Sequence, residues 1–363
     1  MSFDDTLATA VETGVLTPEQ ARRVRAISTN SVKAGADAED DEALRFISGF
    51  GDVFVTIGIV LFVSAMAYFL GGPGGAIGVA AGIAVISWGL AEFFTRIRRM
   101  ALPSIVLLLI FACASYYAGL YVISTALGVT GSVLVPPILG GDEAVQRYAS
   151  ANVGAGLFTT LLVFLHYRRF KVPITVAAGA AALACTFISL VSAFVPQLAF
   201  SGTRMNPMVL VAGLAIFAFA MRFDFSDPER VTRRTDIAFW LHLLAAPMIV
   251  HPLVSGMFSG IGTLDATTAI GILALFLGLG FVAVLIDRRA ILVSGLAYAG
   301  IAFAYLLRGT GITSAATPTT MLVLGAFVLL LSAGWRPLRR AILAVLPVAV
   351  TSRLPQPHVT SNT

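Results

Sequence analysis

Ionisable and imidazole side chains inside long apolar stretches carry the most chemical information in this chain, because holding them at lipid depth is expensive. The richest stretch runs from Asp236 to Pro252 and contains His242 and His251, two of the four histidines. On a helix rising about 1.5 Å per residue, His242 lies roughly 9 Å and His251 roughly 22 Å beyond Asp236, so both fall at or near lipid depth. Nine residues make about two and a half turns, which points the imidazoles to opposite faces and rules out a ready-made metal pair. Pro247 lies between them. It leaves the Leu243 carbonyl without its intrahelical donor and predicts a kink. A kinked, histidine-bearing helix suits a proton-coupled carrier; the plainer alternative is two imidazoles bonded to neighbouring helices beside an ordinary packing proline.

The carboxylates read more simply. Glu92 stands one turn before Arg96 near the end of an apolar stretch, which predicts an i,i+4 pair snorkelling to the interface. Asp236 follows Arg233-Arg234-Thr235 and suits the positive end of a helix dipole, and Asp52 and Asp287 lie at the edges of apolar runs. Convergence of Asp52, Glu92, Asp236 and His242 on one inward-facing vestibule would form a proton relay. His166, beside Tyr167-Arg168-Arg169, reads as interfacial, and Tyr116, Tyr117 and Tyr121 as part of an aromatic belt. Cys113 and Cys185 are isolated in apolar runs and read as small core residues. No G-x-x-x-x-G-K-[ST], H-E-x-x-H, C-x-x-C or G-x-S-x-G occurs, so no nucleotide, metal or other cofactor is expected.

The elements that must position these residues follow from composition. Of 363 residues, 58% are hydrophobic and 12% charged, with a mean hydropathy of +0.90. A soluble domain carries about 25% charged residues, so lipid is the solvent this surface needs, and the lipid bilayer is the expected partner. Ten spans are predicted, near Val53–Leu70, Gly75–Phe94, Leu102–Ile123, Ala151–His166, Val172–Val195, Pro207–Met221, Ile237–Val254, Thr267–Ile286, Ala290–Leu307 and Pro318–Gly334. With loops assigned alternately, all but Arg147, Arg204 and Arg308 of the 24 basic residues fall on one side. The positive-inside rule then puts both termini in the cytoplasm and explains the net charge of +5 without a nucleic-acid partner. Gly71-Gly72-Pro73-Gly74-Gly75 predicts a tight outer turn, and Gly78-x-x-x-Gly82 a close helix contact.

The ends differ from the bundle. Residues 1–50 form a small appendage, rich in acidic residues and lacking a signal peptide. Thr17-Pro18-Glu19-Gln20 predicts a capping box opening a second helix after Gly14, so Leu7, Val11, Leu16, Val24 and Ile27 can meet across a helical hairpin. Ala36–Glu42 reads as a solvated linker and Leu44–Ile47 as a lead into the first span. The bundle then occupies 51–335. In 336–363, arginines and an apolar face after Trp335 predict an amphipathic helix at the headgroups, followed by a loose tail after Pro347. The one long outer loop, Ser124 to Ser150, contains Pro136-Pro137 and a short acidic helix near Asp142–Tyr148.

The stretches TGVLTPEQARRVRA and ALRFISGFGDVFVTIGIVLFVSAMAYFL resemble the start of a group of uncharacterised bacterial polytopic membrane proteins, a domain-of-unknown-function family. DIAFWLHLLAAPMIVHPL and GWRPLRRAILAVLP are similar to patches of hypothetical proteobacterial membrane proteins. The resemblance covers about the first 70 residues and those two patches, and implies a bacterial inner membrane with no transferable activity. Three functional classes stay open. One is a secondary carrier of a small or lipid-like molecule, its two five-helix halves inverted relative to each other. The second is an anchor or sensor whose residues 1–40 bind a cytoplasmic protein. The third, an intramembrane enzyme with His242 as base, lacks a paired nucleophile or carboxylate at that depth.

Overall fold

The computed structural model describes residues 3–24, 50–129, 141–198, 202–227, 232–257, 265–311 and 313–346. Among them all regular structure is helical. The chain divides into two units, Met1–Ser48 and Gly49–Thr363.

In the first unit, α1 covers Phe3–Glu12 and a second helix occupies 18–24. Gly14 sits at φ +73°, and the Val15 amide reaches back to the Ala10 carbonyl at 3.0 Å, the left-handed close that glycine provides. The capping box forms as the sequence predicts: the Thr17 amide donates to Gln20 Oε1 (2.9 Å) and the Gln20 amide to Thr17 Oγ1 (3.2 Å). Leu7 is buried, Val11 and Leu16 half-buried and Val24 exposed. Ile27, the acidic linker and the Leu44–Ile47 lead lie outside the described residues.

The second unit is an all-α polytopic bundle with ten helical segments long and apolar enough to cross a membrane. Helix α2 (Phe50–Ala91) holds spans one and two, Phe50–Gly72 and Gly75–Ile97, hinged at Gly75, whose φ of +57° and ψ of −159° leave the helical region inside the predicted glycine turn. Span two ends in a π-helical turn, Glu92–Ile97. Spans three to ten are α3 (Ala101–Ala126), α4 (Gly141–Phe170), α5 (Ile174–Phe194), α6 (Gly202–Ser226), α7 (Arg233–Met257), α8 (Ala266–Ile286), α9 (Ala290–Gly309) and α10 (Ala316–Val345). The acidic helix expected near Asp142–Tyr148 is the first two turns of span four rather than a separate element.

The C-terminal part also differs from expectation. No break separates span ten from the amphipathic stretch, and α10 runs on through Pro337 to Val345. Trp335 and Arg339 are buried rather than laid at headgroups, because neighbouring spans hold both. The tail after Pro347 and Pro136-Pro137 lie outside the described residues.

Span seven is the hub. Its Ile237, Leu241 and Ala245 pack with Ala177, Ala184, Ala212, Ile216 and Ala220 of spans five and six. On another side, Ala246 packs with Ala283, Val284 and Ile291, and Val250 and Val254 pack with Ala269, Ile272 and Ala302 of spans eight and nine. The small residues let helix backbones approach where lipid offers no hydrophobic drive between helices. The periphery is the reverse: Phe54, Leu61, Leu322 and Leu329 are each about 70% exposed, as lipid-facing side chains must be.

Two glycines mark close approaches between consecutive spans. A Cβ on Gly82 would lie 2.6 Å from Leu70 Cδ1, so the Gly78-x-x-x-Gly82 face packs span two on span one. A Cβ on Gly213 would meet Met248 Cβ at 2.9 Å and the Met248 backbone carbon at 3.0 Å, which fixes how near span six lies to span seven. Gly213→Val is therefore expected to destabilise the bundle by about 1–3 kcal/mol through overpacking. Thermal unfolding in detergent, followed by loss of the monodisperse peak, measures it; a wild-type midpoint in the variant would contradict this packing.

Candidate functional site

A buried charged cluster joins three parts of the second half. Asp224 stands near the end of span six, His242 two and a half turns into span seven, and Arg288 in the turn between spans eight and nine. None of the three is more than 3% exposed, and Arg288 heads the fully buried side chains by size. His242 Nε2 lies 2.8 Å from Asp224 Oδ2. Arg288 donates to the same carboxylate through both Nη2, on Oδ1, and Nε, at 3.3 Å from Oδ2.

Local structure explains each placement. Span six does not stop at the end of its apolar run but continues to Ser226, carrying Asp224 inside the bundle. Asp227 then ties the connection. Its Oδ2 accepts the Thr232 amide (2.9 Å), the Thr232 hydroxyl (2.6 Å) and the Thr235 hydroxyl (3.1 Å), while Thr232 Oγ1 accepts the Arg234 amide (3.2 Å). This sets where span seven starts and therefore which way His242 faces. At the far side of the cluster, Asp287 closes span eight in the left-handed region at φ 58°, and the Arg288 amide returns to the Ala283 carbonyl at 2.8 Å. Aspartate tolerates that conformation better than most residues.

The turn divides its side chains. Arg288 points into the bundle. Asp287 accepts the Trp335 indole N–H at 2.6 Å and faces Arg339 at 3.7 Å, while the Arg289 guanidinium lies 5.1 Å from the Trp335 ring centroid. One tripeptide thus links the buried cluster to span ten.

Chemically, an aspartate held by a bidentate guanidinium is an ionised acceptor, so the imidazole Nε2 donates the His242 bond. Asp224 and Arg288 are opposite charges in one hydrogen-bonded pair, and His242 shares their carboxylate. Its ring stands edge-to-face against Phe217, with centroids 5.2 Å apart. Phe217 also lines a cavity of about 100 Å³ with Leu214, Ala246, Ile249, Val250, Leu279, Val282 and Ile291, all apolar.

The other sequence candidates are distributed elsewhere. His251 is exposed, its Nδ1 2.6 Å from Tyr298 Oη on span nine. Asp236 is exposed in the first turn of span seven, where Asp227 and Thr232 do the capping. Glu92 pairs with Arg96 at 3.3 Å as expected, and also with Arg169 through two bonds of 2.7 and 3.0 Å. Asp52 is buried in the first turn of span one, its carbonyl accepting the Thr56 hydroxyl at 2.7 Å. Pro247 and Pro252 both lie within an uninterrupted α7. His166 corrects the interfacial expectation: it is 1% exposed, boxed by Trp88, Phe111 and Phe170 at centroid distances of 4.5–5.5 Å. Among the described residues no group of three or more His, Cys, Asp and Glu is placed to hold a metal.

Removing the negative charge tests the cluster. Asp224→Asn removes the carboxylate charge that Arg288 and His242 share and should cost about 3–5 kcal/mol, whereas Asp224→Leu with Arg288→Met should recover most of that loss. Thermal melts of the three proteins in one detergent decide the matter, and equal melting of wild type and Asp224→Asn would mean the pair is not desolvated.

Comparison with known proteins finds no matching family model, no matching curated protein and no matching solved structure.

Proposed function

We propose that the protein is a proton-linked secondary carrier of a small apolar or amphipathic molecule in a bacterial inner membrane, with both termini cytoplasmic. The observation that carries this reading is the position of Phe217, at once a wall of the apolar cavity and the edge-to-face neighbour of His242. Protonation of His242 adds one positive charge to the buried cluster. A net charge in a dry bundle draws water or moves toward the headgroups, either of which displaces Phe217 and opens the cavity floor. Proton binding and access to the cavity are coupled through one ring. The arginine distribution supports the sidedness, and the resemblance to bacterial membrane proteins supports the compartment.

Thiol accessibility tests the coupling. In a background with Cys113→Ala and Cys185→Ala, Ile249→Cys is labelled by a membrane-impermeant maleimide in vesicles of each orientation at pH 5.5 and pH 8. The expected result is labelling at least about tenfold faster at the acid pH, an effect abolished by His242→Gln. A cavity cysteine silent from both sides at both pH values sinks the carrier reading.

A second reading is favoured by the complete capping box of the N-terminal hairpin. Here the bundle is an anchor and residues 1–40 bind a cytoplasmic protein. The two part company on deletion of residues 1–40: a carrier keeps the pH response of Ile249→Cys, and an anchor has none to keep.

A further inference from the structure

The first half of the bundle carries a different electrostatic feature at the end where spans two and four finish. Glu92 grips Arg169 through both carboxylate oxygens and also holds Arg96, which ties the turn after span two to the turn after span four. Six cations then share this corner: Arg96, Arg98, Arg99, Arg168, Arg169 and Lys171, all exposed. Among the described residues Glu92 is the one carboxylate that bonds any of them. In the second half, by contrast, four carboxylates, Asp224, Asp227, Asp236 and Asp287, stand among the arginines. Exposed like charges held together repel one another unless an anion sits among them.

The backbone here is built rather than casual. Span two ends in the π-helical turn, with the Arg98 amide donating to the Phe93 carbonyl at 2.9 Å, a winding that concentrates at functional sites. Arg99 and Lys171 both adopt left-handed conformations, at φ 54° and 55°, which turn the two chain reversals alike. Arg98 stands 5.7 Å from the Phe93 centroid and Arg168 5.8 Å from that of Phe164. Both rings are about half exposed on the span surface, so each pairs a cation with an apolar face beside it.

We propose that these two turns form one binding site for the phosphodiester headgroup of an anionic phospholipid. Arg98, Arg99 and Arg168, without carboxylate partners among the described residues, take the non-bridging oxygens; arginine's fork matches that geometry. Phe93 and Phe164 receive the start of an acyl chain. A lipid rather than a soluble phosphate is the occupant because the cations stand on the last turns of two spans, at headgroup depth, with apolar rings on the span side. The proposal is independent of the carrier reading.

The test titrates delipidated full-length protein with phosphatidylglycerol or phosphatidylcholine of identical chains and counts bound lipids by native mass spectrometry. Phosphatidylglycerol is expected to bind at least about tenfold more tightly. Each removed charge is worth about fivefold, so Arg98→Gln/Arg99→Gln/Arg168→Gln should lose about a hundredfold. Arg308→Gln/Arg336→Gln/Arg340→Gln removes the same charge elsewhere and should keep the selectivity. Should the site triple fail to fold, Arg168→Gln alone, at about fivefold, decides. Equal losses in the two triples, or equal binding of the two lipids, overturns the proposal. Full displacement of phosphatidylglycerol by millimolar inorganic phosphate also overturns it, in favour of a free-phosphate site.

Discussion

An aspartate and an arginine buried together in an alanine-rich bundle are the constraint on which the second half of this protein rests. Each ion costs several kcal/mol to take out of water, and the cost is offset only if partner, distance and hydrogen-bond direction are all right at once. That requirement reaches back through the chain. Asp224 must ride on a helix that outlasts its apolar run, Arg288 must leave a turn that aims it inward, and His242 must sit on a span whose first residues Asp227 holds. Gly213 then lets spans six and seven come close enough for the carboxylate to meet the imidazole. Specificity of helix placement, more than net stability, is what such a cluster supplies.

The two halves use charge in opposite ways. In the second, Asp224, His242 and Arg288 are matched and sealed, and Phe217, packed on His242, lines an apolar cavity. In the first, one carboxylate fastens two arginine-rich turns, and the excess charge faces outward. His166 fits neither scheme. A histidine boxed by Trp88, Phe111 and Phe170 fills space as an aromatic disc behind the arginine corner.

How much of this was legible beforehand depended on which property each residue exposes to sequence reading. Span number and approximate position follow from apolar length, the property lipid selects, and all ten spans stand near their predicted places. The capping box and the Gly82 contact were legible because both depend on spacings of three or four residues. Asp224 was hidden because the apolar run ends near Met221 while the helix continues to Ser226, so the residue read as loop. Arg288 was hidden because an arginine folded back into the core and one reaching for headgroups contribute identically to a charge tally. Trp335 was misread for a related reason: amphipathicity marks an interface with something, and here span eight's closing aspartate takes the place of the lipid surface.

Of three neighbouring residues, Arg288 turns to Asp224 while Asp287 and Arg289 both meet Trp335, a division that follows the left-handed close at Asp287. Chain length is therefore itself a functional property of that turn. Adding or removing one residue there would rotate the following side chains by about 100°, exchanging the inward guanidinium for the outward one. A split, a tag or a reporter inserted between Ile286 and Ala290 would sever two helices from a third without touching any of the side chains that hold them.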